Sequence, residues 1–284
     1  RIFDPDSTAK DLDALGFAEH DAKRWEALVQ RPHGIILVTG PTGSGKTTTL
    51  YSTLKRLATE AVNVSTVEDP IEMIEPSFNQ TQVQPHLDFD FPEGLRALMR
   101  QDPDIIMVGE IRDLQTAEMA VQAALTGHLV FSTLHTNDAP SAVSRLMELG
   151  VPAYLINATL LGVLAQRLVR TLCSNCRERD DDASREALTD LVKPWQLNGG
   201  YRPFKPVGCV DCRLTGFKGR LGLYELLMVT EAFKEKVSKE PNIDALRRQA
   251  VTDGMRPLRL GGALKVAEGL TTIEEILAST PPMS

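Results

Sequence analysis

Residues 40–52, GPTGSGKTTTLYS, combine glycines, a lysine and hydroxyl side chains at the spacing G-x-x-x-x-G-K-[ST]. An apolar, β-branched run, HGIILVT, precedes them, and TLYSTLKRLATE follows with helical spacing. This order predicts a strand, a glycine-rich turn and a helix. Such a turn directs backbone N–H groups at a β-phosphate, and the helix N-terminus adds partial positive charge. The segment therefore predicts a phosphate cradle that binds ATP.

Two side chains of the cradle have separate expected roles. Lys46 is expected to reach the β- and γ-phosphate oxygens, and Thr47 to offer its hydroxyl to Mg²⁺. The alternative, a βα turn without a ligand, is disfavoured because both the strand and the helix are present. The predicted nucleotide-binding residues are Gly40, Pro41, Thr42, Gly43, Ser44, Gly45, Lys46, Thr47 and Thr48.

Carboxylates follow two predicted strands. Glu110 stands at the carboxyl end of IIMVG, whereas Asp104 precedes that strand and is expected to be a turn or cap residue. Glu68, Asp69 and Glu72 follow VNVST. A P-loop enzyme needs carboxylates to hold Mg²⁺ and to orient the attacking water. Either set alone is typical of a solvated turn, but together, at the ends of neighbouring strands, they predict a catalytic site.

Two histidines flank the strand LVFSTL. His128 and His135 are seven residues apart, so on a strand they point to opposite faces, which argues against a shared metal ion. We expect His135, at the carboxyl end, to reach a γ-phosphate. His128 is expected to contact a neighbouring element.

The four cysteines of the chain form two C-x-x-C pairs, Cys173 with Cys176 and Cys209 with Cys212. Four thiolates can close a tetrahedral, structural zinc site. Two disulfides and an iron–sulfur cluster are the alternatives. A reducing cytosol argues against the disulfides, and nothing else in the sequence indicates redox chemistry.

The composition sets limits on function. The 284 residues are 42% hydrophobic and carry a net charge of −7, which allows a substantial core and argues against a dedicated nucleic-acid binder. No apolar run approaches the ~20 residues of a membrane-spanning helix. The sequence begins at Arg1 without methionine, so we expect it to be part of a longer protein.

Strands and helices alternate through the first half of the chain. We predict strands at 35–39, 62–67, 105–109 and 129–134 and helices at 46–59, 92–101, 114–126 and 138–149. This alternation indicates an α/β fold with a mostly parallel sheet. After residue 150 we predict a helix and a short strand, a small helix within 185–192 and several short helices from 226. The predicted units are residues 1–34, the end of an N-terminal domain and a linker; 35–170, the ATPase core; 171–222, the four-cysteine zinc insert; and 223–284, a helical region.

Four segments in succession resemble the secretion ATPase superfamily: GPTGSGKTTTLYS, TVEDPIE, LRALMRQDPDIIMVGEIRD and TGHLVFSTLHTNDA. This family contains type II secretion ATPases (general secretion pathway protein E) and type IV pilus assembly and retraction motors. The similarity continues through LLGVLAQRLVRTLC, the cysteines and GFKGRLGLYELL. It implies a RecA-like P-loop NTPase domain and a hexameric ring with ATP bound between subunits or domains. It also implies catalytic roles for Lys46, Glu110, Glu68, Glu72 and His135.

The family's arginines act on the ATP phosphates. In the resemblance, RIFD is the end of an N-terminal domain that supplies them, which makes Arg1 a candidate. Arg96, Arg100 and Arg112 are further candidates for finger, intersubunit or structural roles, and a solvated helix face is the alternative.

The resemblance implies ATP hydrolysis coupled to conformational motion at the bacterial inner membrane. The chain is expected to be cytoplasmic and to reach the membrane through platform proteins that build a pseudopilus. The wording of the motifs favours type II secretion over type IV pilus assembly, and the four cysteines argue against a retraction motor. A DNA-uptake or conjugation motor and an ATP-gated scaffold without hydrolysis remain as alternatives.

Overall fold

A central β-sheet organises the chain in the computed structural model, which describes residues 15–182, 185–196, 200–238 and 242–282. Within these ranges the sheet contains β1 (Gly34–Thr39), β2 (Val64–Glu68), β3 (Asn79–Gln82), β4 (Ile105–Val108), β5 (Leu129–Leu134), β6 (Leu160–Leu172) and β9 (Phe217–Met228). Two short strands, β7 (Glu178–Arg179) and β8 (Phe204–Lys205), form a separate antiparallel ribbon.

The strand order in the sheet is β3-β2-β4-β5-β1-β6-β9. All neighbours are parallel except β6 and β9, which are antiparallel. Because parallel strands all end at one edge, the residues after β1, β2, β4 and β5 gather there.

The described helices cover the sheet and build the C-terminal region. They are α1 (Glu19–Val29), α2 (Lys46–Leu57), α3 (Phe91–Leu98), α4 (Leu114–Leu125), α5 (Ala139–Glu148), α6 (Ala153–Thr159), α7 (Arg185–Leu191), α8 (Glu231–Lys234), α9 (Ile243–Thr252), α10 (Leu258–Ala267) and α11 (Ile273–Ser279). Single 3₁₀ turns lie at Pro85–Leu87 and Val210–Cys212. In the ranges that the structure describes, every helix is too short or too polar to span a bilayer.

The central strands β1, β2, β4 and β5 are buried on both faces of the sheet. Along β1, Ile35 and Leu37 belong to one hydrophobic cluster, whereas Ile36 and Val38 belong to another that includes Trp25 of α1. A strand buried on both faces has no need for polar alternation, which explains its continuous apolar sequence.

The predicted α/β fold with a mostly parallel sheet is confirmed, and the four predicted strands and four predicted helices of the core are present. Their ends differ by up to three residues; α3, for example, ends at Leu98 rather than at 101. The small helix predicted within 185–192 is α7.

Three features differ from the sequence-based expectations. The short strand predicted after residue 150 is wrong, because β6 has 13 residues and continues the sheet. The predictions also lacked β3, which is polar, and β9, which crosses the predicted unit boundary at residue 222. The strand β9 adds a further paired strand to the sheet beside β6, so the sheet is larger than the predicted core.

Candidate functional site

The turn between β1 and α2 wraps an open cradle. Gly43 and Gly45 have φ values of +79° and +88°, in the left-handed region that glycine adopts without strain. A Cβ placed on Gly43 would meet no atom within 4 Å, so the space beside this glycine is open. A Cβ on Gly45 would lie 2.7 Å from Nε2 of Gln166 on β6. The turn is therefore packed against β6 on one side and open on the other.

Lys46 begins α2 and lies at the mouth of this turn. Its Nζ donates hydrogen bonds to the backbone oxygens of Gly40 (2.8 Å) and Pro41 (3.1 Å). Partial burial lowers the pKa of Lys46, and the carboxylate of Glu110 acts in the opposite direction. The ammonium group is thus held by weak acceptors that a phosphate oxygen can replace.

A cavity of about 710 Å³ opens between the turn and the carboxyl ends of β2, β4 and β5. A nucleotide fits a space of this size. The predicted residues that line it are Thr42, Gly43, Gly45, Lys46, Thr47, Thr48, Glu68, Asp69, Glu72, Glu110, Arg112 and His135.

Glu110 lies two residues beyond β4, and two titratable side chains contact its carboxylate. Its carboxylate pairs with the guanidinium of Arg112, and its Oε2 is 3.6 Å from Nε2 of His135. Arg112 also lies 4.0 Å from Asp69. Burial lowers the pKa of His135, and the nearby Lys46 lowers it further. The ring is therefore neutral near pH 7 and can accept or donate a hydrogen bond at the cavity.

Glu68 differs from Glu110 because other side chains already occupy its carboxylate. It is 4% exposed; its Oε2 accepts a hydrogen bond from the Tyr51 hydroxyl (2.7 Å). Its Oε1 accepts from Thr66 (2.7 Å) and from Nε2 of Gln80 (3.1 Å). These bonds join β2 to α2 and β3. Their geometry is that of a carboxylate fixed beneath the cavity.

The structure also brings residues to the cavity that the sequence analysis did not single out. Leu168 of β6 and Arg220 of β9 line it. Gln166, beside Gly45, accepts a hydrogen bond from Thr49 of α2 through Oε1 (2.8 Å). No local signal marks these residues, since they reach the site only through the pairing of β6 with β1 and β9.

The remaining candidates lie elsewhere. Arg1 falls outside the described residues, Arg96 pairs with Glu93 on α3, and Arg100 is exposed. His128 lies at the opposite end of β5, where its ring contacts the backbone oxygen of Ala123 (2.9 Å) at the end of α4, a neighbouring element as expected. Asp104 accepts a hydrogen bond from the backbone of Asn63 (2.7 Å) at that end of the sheet.

The four cysteines meet in one cluster. All four Sγ atoms lie within 4.8 Å of one another, and none forms a disulfide. The separations Cys173–Cys209, Cys176–Cys212 and Cys209–Cys212 are 3.9, 3.7 and 3.8 Å. A tetrahedral ion with Zn–S bonds of about 2.3 Å requires sulfurs about 3.8 Å apart. The donor set therefore fits a zinc ion.

Comparisons with known proteins agree with this geometry. A family model described as "Type II/IV secretion system protein" matches residues 1–278. A type IV pilus assembly ATPase, TfpB, of Acinetobacter baylyi is 57% identical over 281 residues, covering 99% of this chain and 48% of that protein. The type II secretion system ATPase E of Vibrio cholerae is 48% identical over 283 residues, covering 99% of this chain and 55% of that protein.

Among solved structures, the pilus retraction motor PilT with bound ADP has a TM-score of 0.66 and 28% identity, over 95% of this chain and 66% of that one. The chain spans about half the length of the curated relatives named above. The match over residues 1–278, the identities of 57% and 48% and the shared fold show that the chain belongs to the type II/IV secretion system protein family.

Proposed function

We propose that this chain is the ATP-hydrolysing part of a motor that builds a filament at the bacterial inner membrane and thereby powers type II protein secretion. The observation that carries the proposal is the cavity of about 710 Å³, where an open phosphate cradle with Lys46 faces Glu110 and His135. Hydrolysis of ATP to ADP and phosphate, coupled to opening and closing of the site, fits a family whose named relatives are secretion and pilus ATPases.

Each residue of the cavity has its own role in the proposed hydrolysis. Lys46 and the backbone N–H groups of the cradle stabilise negative charge on the β- and γ-phosphates. Thr47 and carboxylates of the cavity would hold Mg²⁺, which would add positive charge at the phosphate oxygens. Glu110 orients the attacking water, and neutral His135 contacts the γ-phosphate. We give Glu68 a positioning role beneath the cavity. Glu72 is the candidate to accept a hydrogen bond from a water molecule bound to Mg²⁺.

Two further assignments complete the proposal. The four cysteines would hold a structural Zn²⁺ with four thiolates, a donor set typical of sites without catalytic chemistry. The active form is a hexameric ring, in which arginines complete the nucleotide site. In the longer protein we assign this role to Arg1, with Arg112 as a second candidate. The ring lies in the cytoplasm and reaches the membrane through platform proteins, without nucleic acid as a partner.

Type IV pilus assembly is the second candidate role. The identity of 57% to the Acinetobacter baylyi pilus assembly ATPase favours it, compared with 48% to the Vibrio cholerae secretion ATPase. Both roles use the same site and differ in the machinery that the motor drives.

The reaction is tested by ATP turnover measured against protein concentration, in the wild type and in Lys46→Ala. We expect the rate per chain to rise as rings assemble, and to vanish in the variant. A wild type that binds ATP but shows no turnover at any concentration, alone or within the longer protein, would contradict the proposal.

The role is tested by exchanging the matching segment of each relative for this chain. The chimaeric proteins are produced in strains that lack the Vibrio cholerae secretion ATPase or the Acinetobacter baylyi pilus ATPase, with Lys46→Ala chimaeras as controls. Restored secretion supports the first role and restored piliation alone the second. Failure of both in folded, ATP-hydrolysing chimaeras would contradict each role.

A further inference from the structure

The loop between β5 and α5, residues 135–138, carries His135 and accepts hydrogen bonds from arginines later in the chain. Arg167 of β6 donates a hydrogen bond to the backbone oxygen of Asn137 (2.8 Å). Arg247 of α9 donates to Oδ2 of Asp138 (3.0 Å). Two contacts of this loop therefore come from residues 30 and 109 positions further along the chain. A further one comes from β1, where the Thr39 hydroxyl accepts a hydrogen bond from the backbone N–H of Thr136 (2.9 Å).

Glu225 on β9 ties the end of this loop to a second helix. The carboxylate is 4% exposed; Oε1 accepts a hydrogen bond from the backbone N–H of Ala139 (2.8 Å), and Oε2 accepts one from that of Leu258 (3.2 Å). Ala139 and Leu258 are the first residues of α5 and α10. A carboxylate is stabilised at a helix N-terminus by unpaired N–H groups and by the helix dipole. One buried carboxylate therefore serves two helix N-termini.

The charges around Glu225 come from three elements. The pKa of Glu225 is raised to about 7, mainly by burial and also by the nearby Asp138, against the opposing effect of Arg247 and the two backbone N–H groups. Arg167 faces it from β6. Asp138 itself caps α5 through Oδ1, which accepts from the backbone of Ser141 (2.8 Å), and uses Oδ2 for Arg247. Each carboxylate oxygen in this group has its own partner.

We propose that Glu225 and Arg247 are positioning residues that fix the loop 135–138 and thereby hold His135 against Glu110 at the nucleotide cavity. They join this loop to α9 and α10, so a shift of those helices moves His135, and a change at the cavity is transmitted to the helices. The effect of these two residues on turnover rests on the proposed ATP hydrolysis. The positioning of the loop does not.

The loop is tested first by hydrogen exchange without nucleotide, in Glu225→Gln, Arg247→Ala and the control Lys265→Ala. Lys265 lies on α10 and pairs with Glu268, away from the loop. In Glu225→Gln, the amide nitrogen of the new side chain cannot accept a hydrogen bond, so one helix N-terminus loses its partner. We expect exchange in residues 135–141 to rise about tenfold in the two junction variants and to stay at the wild-type rate in Lys265→Ala. Equal exchange in all three variants would overturn the proposal. Arg247 is partly exposed, so its variant keeps the test usable if Glu225→Gln does not fold.

The second test separates positioning from general damage. We expect Arg247→Ala to lower kcat about tenfold, with the KM for ATP within about twofold of the wild type, because the phosphate cradle lies on a different loop. Arg247→Lys should recover most of kcat. Asp138→Asn keeps the helix cap but loses the charge, so its effect on kcat should not add to that of Arg247→Ala.

Two results of this second test would overturn the catalytic part of the inference. They are an unchanged kcat in Arg247→Ala, and a loss that follows the fraction of folded, nucleotide-binding protein. A wild type without turnover would count against the proposed function. The exchange comparison would still decide whether the junction holds the loop.

Discussion

Replacing Tyr51 by phenylalanine removes one hydroxyl from the buried polar group beneath the cavity. The ring is 1% exposed, and its hydroxyl is 2.7 Å from Oε2 of Glu68 and 3.1 Å from the backbone oxygen of Met73. The hydroxyl also accepts a hydrogen bond from Nε2 of Gln80 (2.9 Å). Phenylalanine keeps the ring volume, so the change tests the hydrogen bonds without opening a large cavity.

The expected loss of stability follows from the carboxylate oxygen that loses its hydrogen-bond donor. The other side-chain donors to Glu68, Thr66 and Gln80, reach Oε1, so Oε2 loses its side-chain donor while it stays buried. Losing a hydrogen bond to a charged group costs about 1.5–3 kcal/mol, and a buried group without a partner lies at the upper end. We therefore expect Tyr51→Phe to lower the free energy of unfolding by about 2–3 kcal/mol.

Urea unfolding measures this change, with the m-value unchanged if only the native state is affected. Tyr154→Phe is the matched control, because Tyr154 is 70% exposed and should shift the free energy by less than about 0.5 kcal/mol. If the two variants unfold at the same urea concentration, Glu68 does not depend on Tyr51, and the structural role given to this carboxylate fails.

Three other changes test separate parts of the structure. Gly45→Ala should weaken ATP binding at least tenfold, because its Cβ would lie 2.7 Å from Gln166 at a φ of +88°. The control Gly127→Ala has a positive φ but open space around it, so it should leave ATP binding unchanged. Titration with a fluorescent ATP analogue compares the two variants. The pKa of Glu225 is raised from 4.5 to about 7, so the native state binds this proton more tightly than the unfolded state does. Between pH 4.5 and 7, the free energy of unfolding should therefore fall by about 3 kcal/mol more in the wild type than in Glu225→Gln. An equal dependence of the free energy of unfolding on pH in the two proteins would contradict this. Cys209→Ser should lower both the zinc content, from one ion per chain, and the midpoint of thermal unfolding, and a metal-free wild type of equal stability would contradict the zinc assignment.

Local sequence patterns were sufficient for the strand, turn and helix of the cradle and for three further strands of the sheet. The turn needs glycines at positions of positive φ, and the lysine must begin α2. Both requirements concern residues that are close together in the sequence. Glu110 could be placed for a similar reason, because a buried strand directly precedes it and parallel strands end at one edge.

Contacts between distant residues could not be derived in this way. The strand β9 contains glycine and charged residues, and it is a strand because it pairs with β6 along most of its length. Glu225 lies on it, and its two partners begin helices 86 residues earlier and 33 residues later. The hydrogen bonds of Glu68 with Tyr51 and Gln80 could not be derived either, because these two residues lie on α2 and β3.

The central claim, that this cavity hydrolyses ATP with Glu110 orienting the water, is tested most directly by comparing binding with turnover in Glu110→Gln. Glutamine keeps the size of the side chain but cannot act as a carboxylate. We expect the variant to bind ATP within about threefold of the wild-type affinity and to lose at least about 100-fold in phosphate release. A variant that binds ATP and releases phosphate at the wild-type rate would contradict the account.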